Sequence, residues 1–169
     1  QLFTETVNGE VVNNMTYDNY GNILIKNGVQ YEYDNVWKDK LVKYGNFVNN
    51  YDVLGNPTSY LGHTLDWEKG KLKSFDNNTY TYNLNGIRTD KTVSGVKHTY
   101  LLDGTKIVKE VWGENELIPL YDASGSVCGI GHNGTSYFFV RNLQGDVLAI
   151  TDKNGSVLAE YAYDAWGKC

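Results

Sequence analysis

The chain has 169 residues, 41% of them apolar, and its 15 basic and 20 acidic side chains leave a net charge of −5. Nineteen Asn and 18 Gly take 37 of the 169 positions, and 14 Tyr and 4 Trp stand against 5 Ala and 1 Met, so turn and strand formers outweigh helix formers. These counts exclude an all-helical protein, a disordered chain poor in aromatics, and a transmembrane helix, since no apolar run approaches the ~20 residues required.

Taken in chain order, turn signals recur from end to end. They stand at Asn8-Gly9, Gly21-Asn22, Asn27-Gly28, Gly45-Asn46, Gly55-Asn56, Gly62, Gly70, Asn77-Asn78, Asn85-Gly86, Ser94-Gly95, Asp103-Gly104, Gly113, Ser124-Gly125, Asn133-Gly134, Gln144-Gly145, Asn154-Gly155 and Gly167. Asn and Gly reach positive φ at low cost, as hairpin turns require. The segments between them alternate polar and apolar, as in Val96–Leu101, Lys106–Trp112 and Val157–Tyr163. The prediction is an all-β chain of about eighteen short strands, a long twisted antiparallel sheet built as a continuous meander. No internal domain boundary is visible across 1–169.

Over the turns lies a sharper repeat. Tyr17-Asp18-x-x-Gly21, Tyr51-Asp52-x-x-Gly55, Tyr121-Asp122-x-x-Gly125 and Tyr163-Asp164-x-x-Gly167 share one pattern, and Tyr82-Asn83-Leu84-Asn85-Gly86 relaxes the Asp. Tyr31-Glu32-Tyr33-Asp34 and Asp152-Lys153-Asn154-Gly155 are half-matches. The Asp accepts hydrogen bonds from backbone N–H groups two or three residues on, and the Gly takes the left-handed position. The Tyr is expected to pack on the Tyr of the next repeat with its hydroxyl near water.

Candidate chemistry is sparse. The carboxylates Asp18, Asp34, Asp52, Asp122, Asp152 and Asp164 recur at one place in the repeat, which favours turn capping over a singular catalytic pair. His63, His98 and His132 stand 35 and 34 residues apart, without metal-ligand spacing. Cys128 and His132, four apart on a strand, would lie about 13 Å apart along the backbone. Lys38/Lys40 and Lys71/Lys73 read as solvent-facing strand positions. No catalytic residue, metal or cofactor is predicted. The scattered Lys and the two Arg, Arg88 and Arg141, argue against a nucleic-acid partner. Trp37, Trp67, Trp112 and Trp166 are candidates for stacking on sugar rings should they face solvent, against the simpler reading as packing aromatics.

The Tyr-Asp-x-x-Gly units, with the closing stretch Val140–Ile150, Thr151–Val157 and Tyr161–Gly167, resemble the RHS/YD-repeat family. The resemblance covers essentially the whole chain. It implies antiparallel strips that spiral into a hollow shell, as in bacterial polymorphic toxins and insecticidal toxin complexes, with a related barrel in teneurins. On that resemblance the chain is a non-enzymatic wall segment of a secreted or cell-surface protein. Its partners are neighbouring repeats and an enclosed C-terminal toxin domain. The chain has no Asp-Pro pair, its prolines being Pro57 and Pro119, so the family's self-cleavage attaches to no residue here. Exposed strand edges predict edge-to-edge self-association. The alternative is a carbohydrate-binding surface repeat, with a hydrolase on a β-scaffold as a weaker third.

Overall fold

A computed structural model describes all 169 residues, and it is all-β. In chain order the strands are β1 (Thr4–Val7), β2 (Glu10–Tyr17), β3 (Ile23–Lys26), β4 (Val29–Tyr33), β5 (Leu41–Tyr44), β6 (Phe47–Val48), β7 (Asn50–Tyr51), β8 (Pro57–Tyr60), β9 (His63–Glu68) and β10 (Lys71–Phe75). There follow β11 (Asn78–Tyr82), β12 (Arg88–Val93), β13 (Val96–Asp103), β14 (Lys106–Trp112), β15 (Asn115–Tyr121), β16 (Val127–His132), β17 (Thr135–Arg141), β18 (Val147–Thr151) and β19 (Val157–Glu160). The chain divides into two compact units, Gln1–Asn77 and Asn78–Cys169. In the first, β1 to β6 form one sheet in chain order and β7 to β10 run in chain order in another; the second holds β11 to β19 in chain order. Pairing is antiparallel throughout.

Two kinds of turn make the meander. Short ones use two residues, and in Asn27-Gly28 and Asn133-Gly134 both sit at positive φ, the type I′ geometry whose twist matches the flanking strands. Leu61-Gly62 adopts it too, with Leu61 at φ 51°. A Cβ at Gly62 would come within 2.7 Å of the Phe47 ring, so a larger residue there would require that exposed ring to shift.

The long turns are the Asp-x-x-Gly units. Asp52 Oδ1 accepts from Leu54 N and Asn56 N, both at 2.9 Å, and Asp18, Asp122, Asp152 and Asp164 repeat the arrangement. The caps therefore fall two and four residues on. Each long turn that leads into a further strand also inserts one extra residue in it. Tyr121 pairs with Val127 while Leu120 pairs with Gly129, leaving Cys128 as a bulge.

A bulge strips a carbonyl of its ladder partner, and here the next repeat supplies another donor. Tyr33 Oη donates to Ile23 O (2.9 Å), Tyr51 to Leu41 O (2.6 Å), Tyr121 to Ile107 O (2.7 Å) and Tyr163 to Val147 O (2.9 Å). Where Tyr is replaced, Trp67 Nε1 serves Pro57 O at 2.7 Å and Arg141 Nη2 serves Val127 O at 2.6 Å. The expectation that these hydroxyls face water is corrected: each is tied to the backbone of the preceding repeat. The Lys38/Lys40 pair also differs from expectation, lying in the loop between β4 and β5 and not on a strand.

Few side chains are fully enclosed. Met15 and Ala149 are the buried apolar residues, and Asn13 and Asn49 the buried polar ones. Asn49 marks the break between β6 and β7. Its Nδ2 donates to Leu41 O at 3.3 Å and its Oδ1 accepts from Leu61 N at 2.8 Å, which satisfies a buried amide on both sides.

Candidate functional site

In the second unit the registers of β12 to β16 collect polar and aromatic side chains on one face. Lys91 is opposite His98, Tyr100 opposite Glu110, and Leu117 stands between Glu110 and His132. Cross-strand partners point the same way, so Lys91, His98, Tyr100, Glu110, Trp112 and His132 share that face.

Glu110 is the hub of the cluster. Its Oε1 lies 2.7 Å from His98 Nδ1 and 3.0 Å from Lys91 Nζ. Only 15% of the Glu110 side chain and 16% of His98 remain exposed, so both interactions are sheltered from screening. Burial opposes the charge on Lys91, but its bonds to Glu110 and Tyr100 outweigh that and hold its ammonium above the ordinary lysine range. An ionised carboxylate only accepts, so His98 Nδ1 is the donor of the bond to Glu110. The imidazole stacks on Trp112 with ring centroids 5.0 Å apart, and Trp112 lies 5.9 Å from His132. The carboxylate and the indole together fix the orientation of the His98 ring.

The opposite face of β11 to β13 carries a second network. Asp90 accepts from Thr81 Oγ1 and Thr99 Oγ1 at 2.8 Å each and pairs with Lys97 Nζ at 2.9 Å. With Lys97 foremost, then the Thr81, Thr99 and Thr89 hydroxyls, these partners outweigh partial burial and hold the Asp90 carboxyl down to about 2. The network ties three adjacent strands together.

The residues singled out by the repeat are not brought together. Tyr17, Asp18 and Gly21, Tyr51, Asp52 and Gly55, Tyr82 and Gly86, Tyr121, Asp122 and Gly125, and Tyr163, Asp164 and Gly167 stand at separate turns, with every one of these glycines at positive φ. Hydrogen bonds from the turns, chiefly the Asn56 amide at Asp52 and the Ser124 hydroxyl at Asp122, hold those carboxyls below their usual range. The four Trp differ in setting: Trp37 and Trp166 are exposed, Trp67 spends its N–H on Pro57 O, and Trp112 stacks on His98. No group of three or more His, Cys, Asp or Glu is placed to hold a metal.

The Lys91–His98–Glu110 cluster escaped sequence reasoning because its members lie outside the turn periodicity. A 34-residue gap between His98 and His132 looks remote in sequence, yet it spans only three strand-to-strand steps, which brings both rings to one indole.

The chain is similar to three curated bacterial proteins. It is 34% identical to the tRNA3(Ser)-specific nuclease WapA of Bacillus spizizenii and 33% identical to the tRNA nuclease WapA of Bacillus subtilis strain 168, in each case over 99% of this chain and 8% of the relative. It is 33% identical to the tRNA(Glu)-specific nuclease WapA of Bacillus subtilis subsp. natto, over 76% of this chain and 6% of the relative. The chain thus spans about a twelfth of the length of the first two. No family model matches it.

These findings correct the functional expectations. The RHS/YD-repeat assignment finds no matching family model, and the relatives carry the names of tRNA nucleases. The non-enzymatic wall segment with an enclosed toxin partner, the carbohydrate-binding alternative and the exclusion of nucleic acid give way to relatives that are enzymes acting on RNA. The physical reason is one of scope: a net charge of −5 describes a stretch matching 8% of such a relative, and it carries no information on where the rest of that relative meets RNA.

Proposed function

We propose that this chain is a segment of a longer bacterial enzyme that cleaves tRNA. The observation that carries the reading is the 33–34% identity to two Bacillus tRNA nucleases over 99% of the chain. The burial pattern supports membership in something larger. On the face opposite the Glu110 cluster, Leu101, Ile118, Phe138 and Val140 remain exposed, and a sheet face of this composition is ordinarily covered by another layer. Within such an enzyme the segment contributes a ladder whose strands are fixed to one another by turn caps, bulge-carbonyl bonds and the Asp90 and Glu110 networks.

The parent is proposed to act outside the cytoplasm that makes it, in secreted or surface-held form. A tRNA nuclease free in that cytoplasm would attack its own cell's translation, which argues for separation. The test is to incubate the purified parent protein with total tRNA and resolve the products on a denaturing gel. Discrete tRNA fragments are expected. Intact tRNA after prolonged incubation, with and without divalent cations, would overturn the reading.

A further inference from the structure

The loop between β4 and β5 departs from the rest of the ladder. At the other long turns the strand resumes opposite the residue six positions earlier, as with Tyr17 and Ile23, Tyr51 and Pro57, and Tyr121 and Val127. Tyr33 instead pairs with Leu41, eight positions on. Two extra residues in a repeat unit place side chains that the repeat's own packing does not use, and such insertions gather on binding surfaces.

The inserted loop is pinned. Asp34 Oδ1 accepts from Val36 N and Trp37 N at 2.8 and 2.7 Å, Asp34 N donates to Lys40 O and Lys40 N to Trp37 O at 2.9 Å each, and Asn22 Nδ2 donates to Lys38 O at 3.1 Å. Trp37 is therefore presented, 57% exposed, on a fixed backbone. Beside it opens a hollow of about 270 Å³ lined by Trp37, Lys40, Tyr51 and Tyr60 among others. Lys40 Nζ stands 4.4 Å from the Tyr51 ring centroid and 5.6 Å from that of Trp37, while the Tyr51 hydroxyl is anchored on Leu41 O.

We propose that this hollow is a subsite for one unpaired nucleotide of RNA, its base stacking on Trp37 and its phosphate meeting the Lys40 ammonium. The proposal rests on the reading of the parent as a tRNA nuclease. Its chemistry follows from what already occupies the rings. An aromatic pocket that holds its own lysine disfavours a second cation, and the Lys40 ammonium favours a ligand that brings negative charge. It must also bring a flat π surface to cover the open indole. A neutral sugar supplies no charge and inorganic phosphate no stacking surface, whereas a nucleotide supplies both. Asp39, also on the hollow, repels a run of phosphates and limits the contact to about one.

The test uses the 169-residue chain and a fluorescein-labelled single-stranded oligouridylate of ten nucleotides, read by fluorescence anisotropy at low salt. Stacking is worth ~1–3 kcal/mol per base, so Trp37→Ala should weaken binding about tenfold or more, with Trp37→Phe largely restoring it. Lys40→Gln should weaken binding and flatten the salt dependence by about one phosphate contact. Tyr20→Ala, which removes a 76% exposed aromatic elsewhere, should change nothing. Circular dichroism of each variant confirms that the strands persist. Absence of saturable binding by the wild type, or equal binding by Trp37→Ala, overturns the subsite. tRNA cleavage by the parent is scored separately. Cleavage without oligonucleotide binding sinks the subsite alone, and binding by the segment of an inactive parent sinks the nuclease reading alone.

Discussion

Replacing Asp90 with Asn should remove a stability contribution that depends on pH in a defined window. The carboxyl sits at about 2 in the folded chain against an ordinary 3.8, a gap that corresponds to roughly 2 kcal/mol at ~1.36 kcal/mol per pH unit. The side chain keeps 21% of its surface in solvent and Lys97 keeps 66%, so screening reduces the effect to roughly 1–2 kcal/mol. Because the folded value lies below the unfolded one, the stabilisation is present above about pH 4 and disappears as pH falls toward 2. Urea denaturation of wild type and Asp90→Asn across that range measures the gap directly, and the depressed turn carboxyls, common to both proteins, cancel in the comparison. The gap should stand at roughly 1–2 kcal/mol near neutrality and close toward pH 2. A gap that stays constant with pH, or no gap at pH 7, would refute the electrostatic account of this network.

Other perturbations probe the ladder itself. Tyr121→Phe removes the donor to the bulge carbonyl of Ile107 and should cost about 1 kcal/mol in chemical denaturation. A ring change without the hydroxyl's loss, such as 3-fluorotyrosine, should not. Gly129→Ala would set a Cβ 2.3 Å from the Tyr137 carbonyl oxygen and 3.2 Å from Phe138 Cα. Both are backbone atoms, so the strands must part, at a cost of at least about 3 kcal/mol seen as a lost or sharply lowered thermal transition. Glu110→Gln leaves Lys91 and His98 without a shared carboxylate, and NMR titration should then show the Lys91 ammonium losing its proton at lower pH than in the wild type. An unchanged Lys91 titration would show that the pairing is not made in solution.

The meander was legible because its punctuation is local. Positive φ at Asn27-Gly28 or Asn133-Gly134 and a capped Asp52 are decided within four residues of sequence, so turn positions and strand number follow from composition and spacing. The partners of the Tyr hydroxyls were not legible. They depend on which carbonyl a bulge leaves open one hairpin earlier, a matter of register that also explains how Trp67 and Arg141 replace Tyr. The Lys38/Lys40 alternation imitated a strand because the two inserted residues sit where a strand would otherwise begin. Asp90 and the His98–Glu110 pair were hidden for a related reason: cross-strand neighbours 9 to 12 residues apart carry no motif. The nuclease names of the relatives were beyond reach, since a chain matching 8% of a relative's length records only its own surface.

Everything proposed here depends on consecutive hairpins locked by side-chain donors to bulge carbonyls, and solution NMR of the 169-residue chain tests that most directly. Cross-strand Hα–Hα contacts should connect consecutive strands only, with Leu120 facing Gly129 and Val140 facing Ala149, and the Tyr121 hydroxyl proton should exchange slowly and lie close to Ile107. Contacts between strands distant in sequence, or a freely exchanging Tyr121 hydroxyl, would contradict the account.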